Sequence, residues 1–243
     1  MPEGPTIIIL KEETKHFEER KVLEVTGNVK TIDPELLLNK KLLHIKTWGK
    51  HYLLCFHTFT IRIHFLLFGS YAIDKPKERA EKLSLRFTNG QIFFYACSIK
   101  FLAGSPEDHY DWSGDVMNPA WDPIQAKHKI KQHPDTLICD ILLNQEIFAG
   151  VGNIIKNEVL FRVGVQPASR TGAISGIKIN QIIKEARDYS FDFLKWKKQF
   201  VLLKQWLIHT KKKCPKCGGL VIKEYLGKQK RRCFYCKKDQ KEY

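Results

Sequence analysis

Apolar positions in the first hundred residues come in short runs: Val22 to Val29, Leu42 to Trp48, Tyr52 to Phe56, Thr60 to Leu66, Leu83 to Phe87 and Ile92 to Ala96. Runs of this length, rich in β-branched and aromatic residues and separated by polar or glycine-containing stretches, predict β-strands. Thr88-Asn89-Gly90-Gln91 divides the last two, and Asn-Gly is the preferred pair of a type I′ hairpin turn. The region is therefore predicted to be mostly antiparallel β. Ahead of it, Ile8, Leu10, Thr14 and Phe17 have a rough amphipathic spacing that predicts one helix over residues 5–20.

Strand patterning stops between Asp108 and Pro123, where Asp, Pro, Trp and Gly accumulate. Beyond it, Asp122-Pro123 has the form of a helix start with proline in the first turn, and helical periodicity runs through Leu137 to Ile147. Ala149-Gly150-Val151-Gly152-Asn153 then breaks the pattern. A second helix is predicted from Ile154 to about Arg162 with Asn153 as its N-cap, and a longer one from Ser175 towards Leu207. Helix, short glycine turn, helix is the plan of a nucleic-acid-binding hairpin whose second helix aims free N–H groups at a phosphate. It is equally the plan of an ordinary helical corner with a capping Asn. The organisation read from these breaks is a β-rich domain over 1–110, a linker over 111–122, a helical domain over 123–210 and a cysteine-bearing end over 211–243.

Charge narrows the partner. Lys and Arg number 41 against 26 Asp and Glu, a formal net charge of +15 in 243 residues, which favours a polyanion. No charged segment followed by an apolar run opens the sequence, so no secretory signal is expected. The most apolar stretch, Phe59 to Gly69, is too short to span a bilayer and carries Arg62 and His64. These features predict a soluble intracellular protein, cytoplasmic or nucleoid-associated, monomeric and without a membrane partner.

Of the 7 cysteines, Cys55, Cys97 and Cys139 are isolated, and Cys214, Cys217, Cys233 and Cys236 crowd together. Two Cys-x2-Cys pairs in a reducing compartment point to a metal rather than to disulfides, and by spacing alone to tetrahedral Zn2+ with four sulfurs. Lys228-Gln229-Lys230-Arg231-Arg232 lies between the pairs, where the turn of a metal-pinned β-hairpin would carry it to a nucleic-acid backbone. Lys50, in Trp48-Gly49-Lys50-His51-Tyr52, falls at a turn between two strands, where it could bind a phosphate or remain a solvated loop lysine.

Pro2-Glu3-Gly4-Pro5 bears on chemistry directly. If Met1 is removed, Pro2 becomes a terminal secondary amine beside a carboxylate. An α-amino group titrates near pKa ~8 against ~10.4 for lysine, so roughly a quarter of it is free base at pH ~7.5. Amine nucleophiles act through that free base. A proline amine that attacked a sugar C1′ would give an iminium already charged.

Together these pieces resemble the formamidopyrimidine-DNA glycosylase and endonuclease VIII family of base-excision repair enzymes. The resemblance rests on the Pro-Glu-Gly-Pro start, the β-rich first half with its Gly49-Lys50 turn, Ala149-Gly150-Val151-Gly152-Asn153-Ile154 followed by Asn157-Glu158, and the cysteine-bearing end. It implies an α+β fold: an N-terminal antiparallel β-sandwich domain with a flanking helix, then a helical domain with a helix-two-turns-helix motif and a zinc-finger β-hairpin. The implied activity is that of a bifunctional DNA glycosylase and AP lyase acting on damaged double-stranded DNA, with the target base flipped out. Pro2 would be the nucleophile and Glu3 the general acid and base. Lys50 would hold phosphate and assist, and Asn153 and Arg231 would bind flanking phosphates. Leu67 and Phe68, in His64-Phe65-Leu66-Leu67-Phe68-Gly69, would fill the vacated space. Leu with an aromatic is similar to the endonuclease VIII pairing, and Ser98-Ile99-Lys100-Phe101 lacks the Arg-x-Phe of purine-specific members, so oxidised pyrimidines are the expected substrates. An oxidised-purine glycosylase and a noncatalytic DNA- or RNA-binding zinc-ribbon protein are the alternatives. One departure concerns the single structural Zn2+. Alignment on Arg231 and Phe234-Tyr235 gives ligands Cys214, Cys217, Cys236 and Asp239, whereas thiolate softness favours Cys233 over Asp239 as the fourth.

Overall fold

In the computed structural model, which describes residues 2–243, helix α1 spans Gly4–Thr14. It is shorter than predicted, because a 3-10 turn over Lys15–Phe17 follows and Glu19 redirects the chain with a φ of 65°. Met1, on whose removal the Pro2 chemistry depends, lies outside the described residues. Ile7, Leu10 and Thr14 form the buried stripe of α1. The Thr14 hydroxyl meets the Tyr52 hydroxyl at 2.8 Å in the interior, tying the helix to the sheet.

The strands are β1 (Glu24–Thr26), β2 (His44–Trp48), β3 (His51–Cys55), β4 (Phe59–Ile73), β5 (Leu83–Phe87) and β6 (Gly90–Ala103). All are hydrogen-bonded into one antiparallel sheet in the order β1-β5-β6-β4-β3-β2, rather than into two separate sheets. Strands β4 and β6 greatly exceed the apolar runs that predict them, and their length lets each serve two wings. The first half of β4 pairs with β3, and the first half of β6 pairs with β5. Ile45, Tyr52 and Leu54 from one wing and Leu83, Leu85 and Phe87 from the other share a core with Ile7 and Leu10. The Asn89-Gly90 turn differs from expectation. Phe87 pairs with Gly90, so Thr88 and Asn89 are the loop residues, and only Gly90 has positive φ, which excludes type I′.

Contacts divide the chain after Asp111, and Trp112–Tyr243 forms the second unit. Its helices are α2 (Pro123–Lys131), α3 (Ile138–Ile141), α4 (Asn153–Val163), α5 (Gly176–Lys198) and α6 (Leu202–Gln205), followed by β7 (Ile222–Leu226) and β8 (Arg231–Tyr235). Asp122 caps α2, its carboxylate accepting the N–H groups of Ile124 and Gln125 at 2.8 and 3.0 Å. The helix predicted over Leu137 to Ile147 shrinks to α3, because the Asn144 side chain takes the N–H of Glu146 and offers the backbone a turn instead. Helix α5 stops short of Leu207, where Phe200 adopts a φ of 60°. Strands β7 and β8 form the hairpin, its turn running from Gly227 to Lys230.

Candidate active site and nucleic-acid interface

In the N-terminal unit, the start of α1 fixes Pro2 and Glu3. Glu3 is the N-cap residue, and its N–H donates to the Thr6 hydroxyl at 3.0 Å while that hydroxyl donates back to the Glu3 carbonyl at 2.7 Å. Glu3 is fully buried and Pro2 only half so. A carboxylate at a helix N-terminus gains from the positive end of the dipole. Helix α1 packs on β2 and β3, and the turn between those strands is Gly49-Lys50, with Gly49 in the left-handed region at φ 52°.

Beside Lys50 the sheet presents a basic face that periodicity did not reveal. Arg62 lies directly opposite Lys100 across β4 and β6, and His51 opposite His64 across β3 and β4. Burial, followed by the charges of Arg62 and His64, pushes the His51 imidazole down to about 3, so it is neutral at physiological pH. Cations directly opposed across a sheet repel unless an anion lies between or above them. Only the cross-strand register places these residues together.

Leu66, Leu67 and Phe68 form a bulge where the pairing of β4 with β6 shifts between Phe65 and Ser70. Phe68 is 79% exposed and Leu67 51%. Large apolar side chains held out in this way need a partner to cover them. Gly69 closes the bulge, since a Cβ there would lie 2.9 Å from both the Ala96 carbonyl and Phe65.

In the C-terminal unit, Asn153 is not the N-cap predicted for it. Gly152 caps α4 and Asn153 is the first helical residue. Its side-chain oxygen accepts instead from Lys156 Nζ at 2.9 Å. Lys156 is fully buried and also donates to the Arg232 carbonyl at 3.1 Å and to Cys233 Sγ at 3.0 Å. Asn157 reinforces this junction by accepting the Phe234 N–H at 3.3 Å and donating to His209 Nδ1 at 2.9 Å. Glu158, also fully buried, accepts the N–H groups of Leu207, Ile208 and His209 at 2.8 to 3.1 Å. Arg231 opens β8 and is exposed.

Of the two expected ligand sets, the structure brings one together. Cys214 Sγ, Cys217 Sγ, Cys236 Sγ and a carboxylate oxygen of Asp239 all lie within 4.8 Å of one another. Asp239 Oδ2 sits 3.0 Å from Cys214 Sγ and 3.3 Å from Cys236 Sγ. Hydrogen bonds from Cys214, Cys217 and Cys236 hold the Asp239 carboxyl down to about 2, and hydrogen bonding to Asp239 pushes Cys217 up to about 12. Three soft thiols and one carboxylate converging in this way are a donor set for a tetrahedral divalent cation. Cys233 does not join them. It lies fully buried within β8, where a hydrogen bond from the Cys139 thiol, then the Lys156 ammonium, pull its thiol below the usual range. The structure thus assembles the set that contains Asp239 and leaves Cys233 outside it, because backbone placement rather than ligand affinity decides which side chains meet.

A six-stranded sheet unit, a helical unit with a glycine turn and a finger-like hairpin define the fold of the Fpg-type DNA glycosylases. Residues 117–191 match the formamidopyrimidine-DNA glycosylase H2TH domain. Endonuclease 8-like 3 of Xenopus laevis is 29% identical over 211 residues, covering 82% of this chain and 34% of that protein. Endonuclease 8-like 2 of Bos taurus is 32% identical over 186 residues, covering 69% of this chain and 53% of that protein. The chain thus spans about a third to about half the length of these relatives. Among solved structures, Lactococcus lactis Fpg in complex with DNA containing an oxidised pyrimidine superposes with a TM-score of 0.87 at 20% identity, covering 99% of this chain and all of that one. The chain belongs to the formamidopyrimidine-DNA glycosylase and endonuclease VIII family.

Proposed function

We propose that this chain is a base-excision repair glycosylase and AP lyase that removes oxidised pyrimidines from duplex DNA. The observation that carries the reading is the Pro2-Glu3 pair: a fully buried carboxylate at the head of α1, next to a residue that becomes a secondary amine once Met1 is removed. The amine attacks C1′ of the damaged nucleotide, the C1′–N bond breaks, and the base leaves with the bonding electrons and takes up the proton that the amine nitrogen gives up. Glu3 protonates the ring oxygen as the sugar opens, so the product is an iminium on C1′. Loss of a C2′ proton then expels the 3′ phosphate, and a second elimination expels the 5′ phosphate. Charge on the iminium makes both eliminations possible.

Lys50, Asn153 and Arg231 hold the phosphates that flank the lesion. Phosphate contacts fix register and orientation without reading sequence. Leu67 and Phe68, already exposed on their bulge, occupy the space left by the flipped base, and the Leu-aromatic pairing favours pyrimidine lesions. Cys214, Cys217, Cys236 and Asp239 hold one Zn2+, which supplies cross-links in a segment too small for a core of its own. The zinc takes no part in the bond-breaking steps.

A lesion panel tests the reading. Duplexes containing a single oxidised pyrimidine, formamidopyrimidine or 8-oxoguanine are incubated with the chain after Met1 removal, and products are resolved by gel. Release of pyrimidine lesions, with ends phosphorylated on both sides of a one-nucleotide gap, is the expected result. Faster release of purine lesions overturns the substrate assignment, and no strand scission on any lesion overturns the lyase.

A further inference from the structure

Lys156 is the most unusual side chain of the C-terminal unit that the proposed chemistry leaves unused. Lysines are almost never fully buried unless paired. An ammonium has three donors and no acceptor, and all three are committed, to Asn153 Oδ1, the Arg232 carbonyl and Cys233 Sγ at 2.9, 3.1 and 3.0 Å. These acceptors come from the first turn of α4 and from β8, the strand that Arg231 opens. A buried cation near the positive end of a helix is unfavourable without an anion beside it, and Cys233 is the acidic group within reach.

The direction of the first bond carries the argument. A carboxamide can turn either its oxygen or its NH2 towards a partner, and only the oxygen accepts from an ammonium. Once Lys156 has taken Oδ1, the end of Asn153 left for a phosphate is the NH2, which donates. Unconstrained, the same side chain could offer oxygen to oxygen. The hairpin is held from the other side as well: Asp140 Oδ2 accepts the Lys228 N–H at 2.9 Å, and a Cβ on Gly227 would lie 2.1 Å from the other Asp140 oxygen.

We propose that Lys156 is a positioning residue for DNA binding: anchored on the Arg232 carbonyl and Cys233 of β8, it orients the Asn153 amide to donate to a phosphate. The inference rests on the reading of Asn153 as a phosphate contact.

A double-mutant cycle separates the two. Binding of a duplex bearing a tetrahydrofuran abasic analogue is measured by fluorescence anisotropy for the wild type, Asn153→Ala, Lys156→Met and the double variant, each checked for a cooperative thermal melt. Loss of one phosphate hydrogen bond is expected to weaken binding about 10-fold in each single variant. The double variant should be no more than about 2-fold weaker than either, because Lys156 acts through Asn153. A merely structural lysine gives independent losses that multiply to about 100-fold, and this result overturns the proposal, as does wild-type binding by Lys156→Met. If Asn153→Ala binds as the wild type does, the phosphate reading itself fails and the inference falls with it. Should Lys156→Met not fold, Cys233→Ser replaces it in the cycle, with a loss of about 3-fold that again does not multiply with Asn153→Ala; multiplication overturns the proposal here too.

Discussion

The hairpin of β7 and β8 is held in two places by different chemistry. Beyond β8, Cys236 joins Cys214, Cys217 and Asp239 in a partly exposed donor cluster. Within β8, Cys233 lies fully buried against Lys156. The first arrangement suits an ion that replaces protons shared among thiols and carboxylate. The second already contains its cation, as a lysine. Two cysteines close in sequence thus do different work because one lies within β8 against Lys156 and the other beyond the end of the strand.

The largest expected effect separates these places. Asp239→Ala should lose bound zinc, and with it the packing of Cys214, Phe234 and Cys236 against Phe161 and Ile208, lowering DNA affinity by about 100-fold since small metal sites fold with their ion. Cys233→Ser should retain one zinc per chain by atomic absorption. Zinc retained by the Asp239 variant and lost by the Cys233 variant would reverse the comparison.

Stability of the C-terminal unit turns on Glu158. Its carboxylate gathers three backbone N–H groups of Leu207, Ile208 and His209, and leaving buried donors unmatched costs roughly 1–3 kcal/mol each. Glu158→Ala is expected to destabilise the C-terminal unit by about 4 kcal/mol in chemical denaturation while leaving the melting of the N-terminal unit in place. An effect below about 1 kcal/mol would show that water replaces the carboxylate.

A smaller effect follows pH. Burial, then the charges of Lys156 and Arg232, lower the His209 imidazole to about 4. Unfolded, it titrates near pKa ~6.5, so between these values the unfolded chain binds more protons and stability falls as the solution is acidified. His209→Gln should flatten the decline in melting temperature between pH 6.5 and 4, and an unchanged slope would assign the decline to other groups.

Much of this was legible in sequence. The positions of β2, β3 and β5, the Gly49-Lys50 turn, the Asp122 cap and the hairpin around the basic run all follow from local pattern. The extent of β4 and β6 does not, because the exposed Leu66-Leu67-Phe68 bulge interrupts alternation in one and polar Ser98 and Lys100 interrupt the apolar run of the other. The burial of the polar residues of α4 escapes local pattern for a different reason. Lys156, Asn157 and Glu158 have the look of a solvated face, yet apolar Ile154, Ile155, Val159, Leu160 and Phe161 surround the helix on the other sides. A helix apolar nearly all round is buried, and its polar side chains must then find partners from distant segments, here β8 and residues 207–209. Asn153 is displaced from the cap position because α4 starts one residue earlier, with Gly152 as an N-cap that makes no side-chain hydrogen bond.

Covalent capture of the damaged strand on Pro2 separates an enzyme from a binding scaffold. Chain lacking Met1, verified by intact mass, is mixed with duplex DNA containing an oxidised pyrimidine and reduced with borohydride. A crosslinked species whose mass equals chain plus reduced sugar-bearing strand is expected, with the modification on Pro2, and it is lost in Pro2→Gly or when Met1 is retained. A crosslink that persists unchanged in both, or none from processed chain across several lesions, would contradict capture on Pro2.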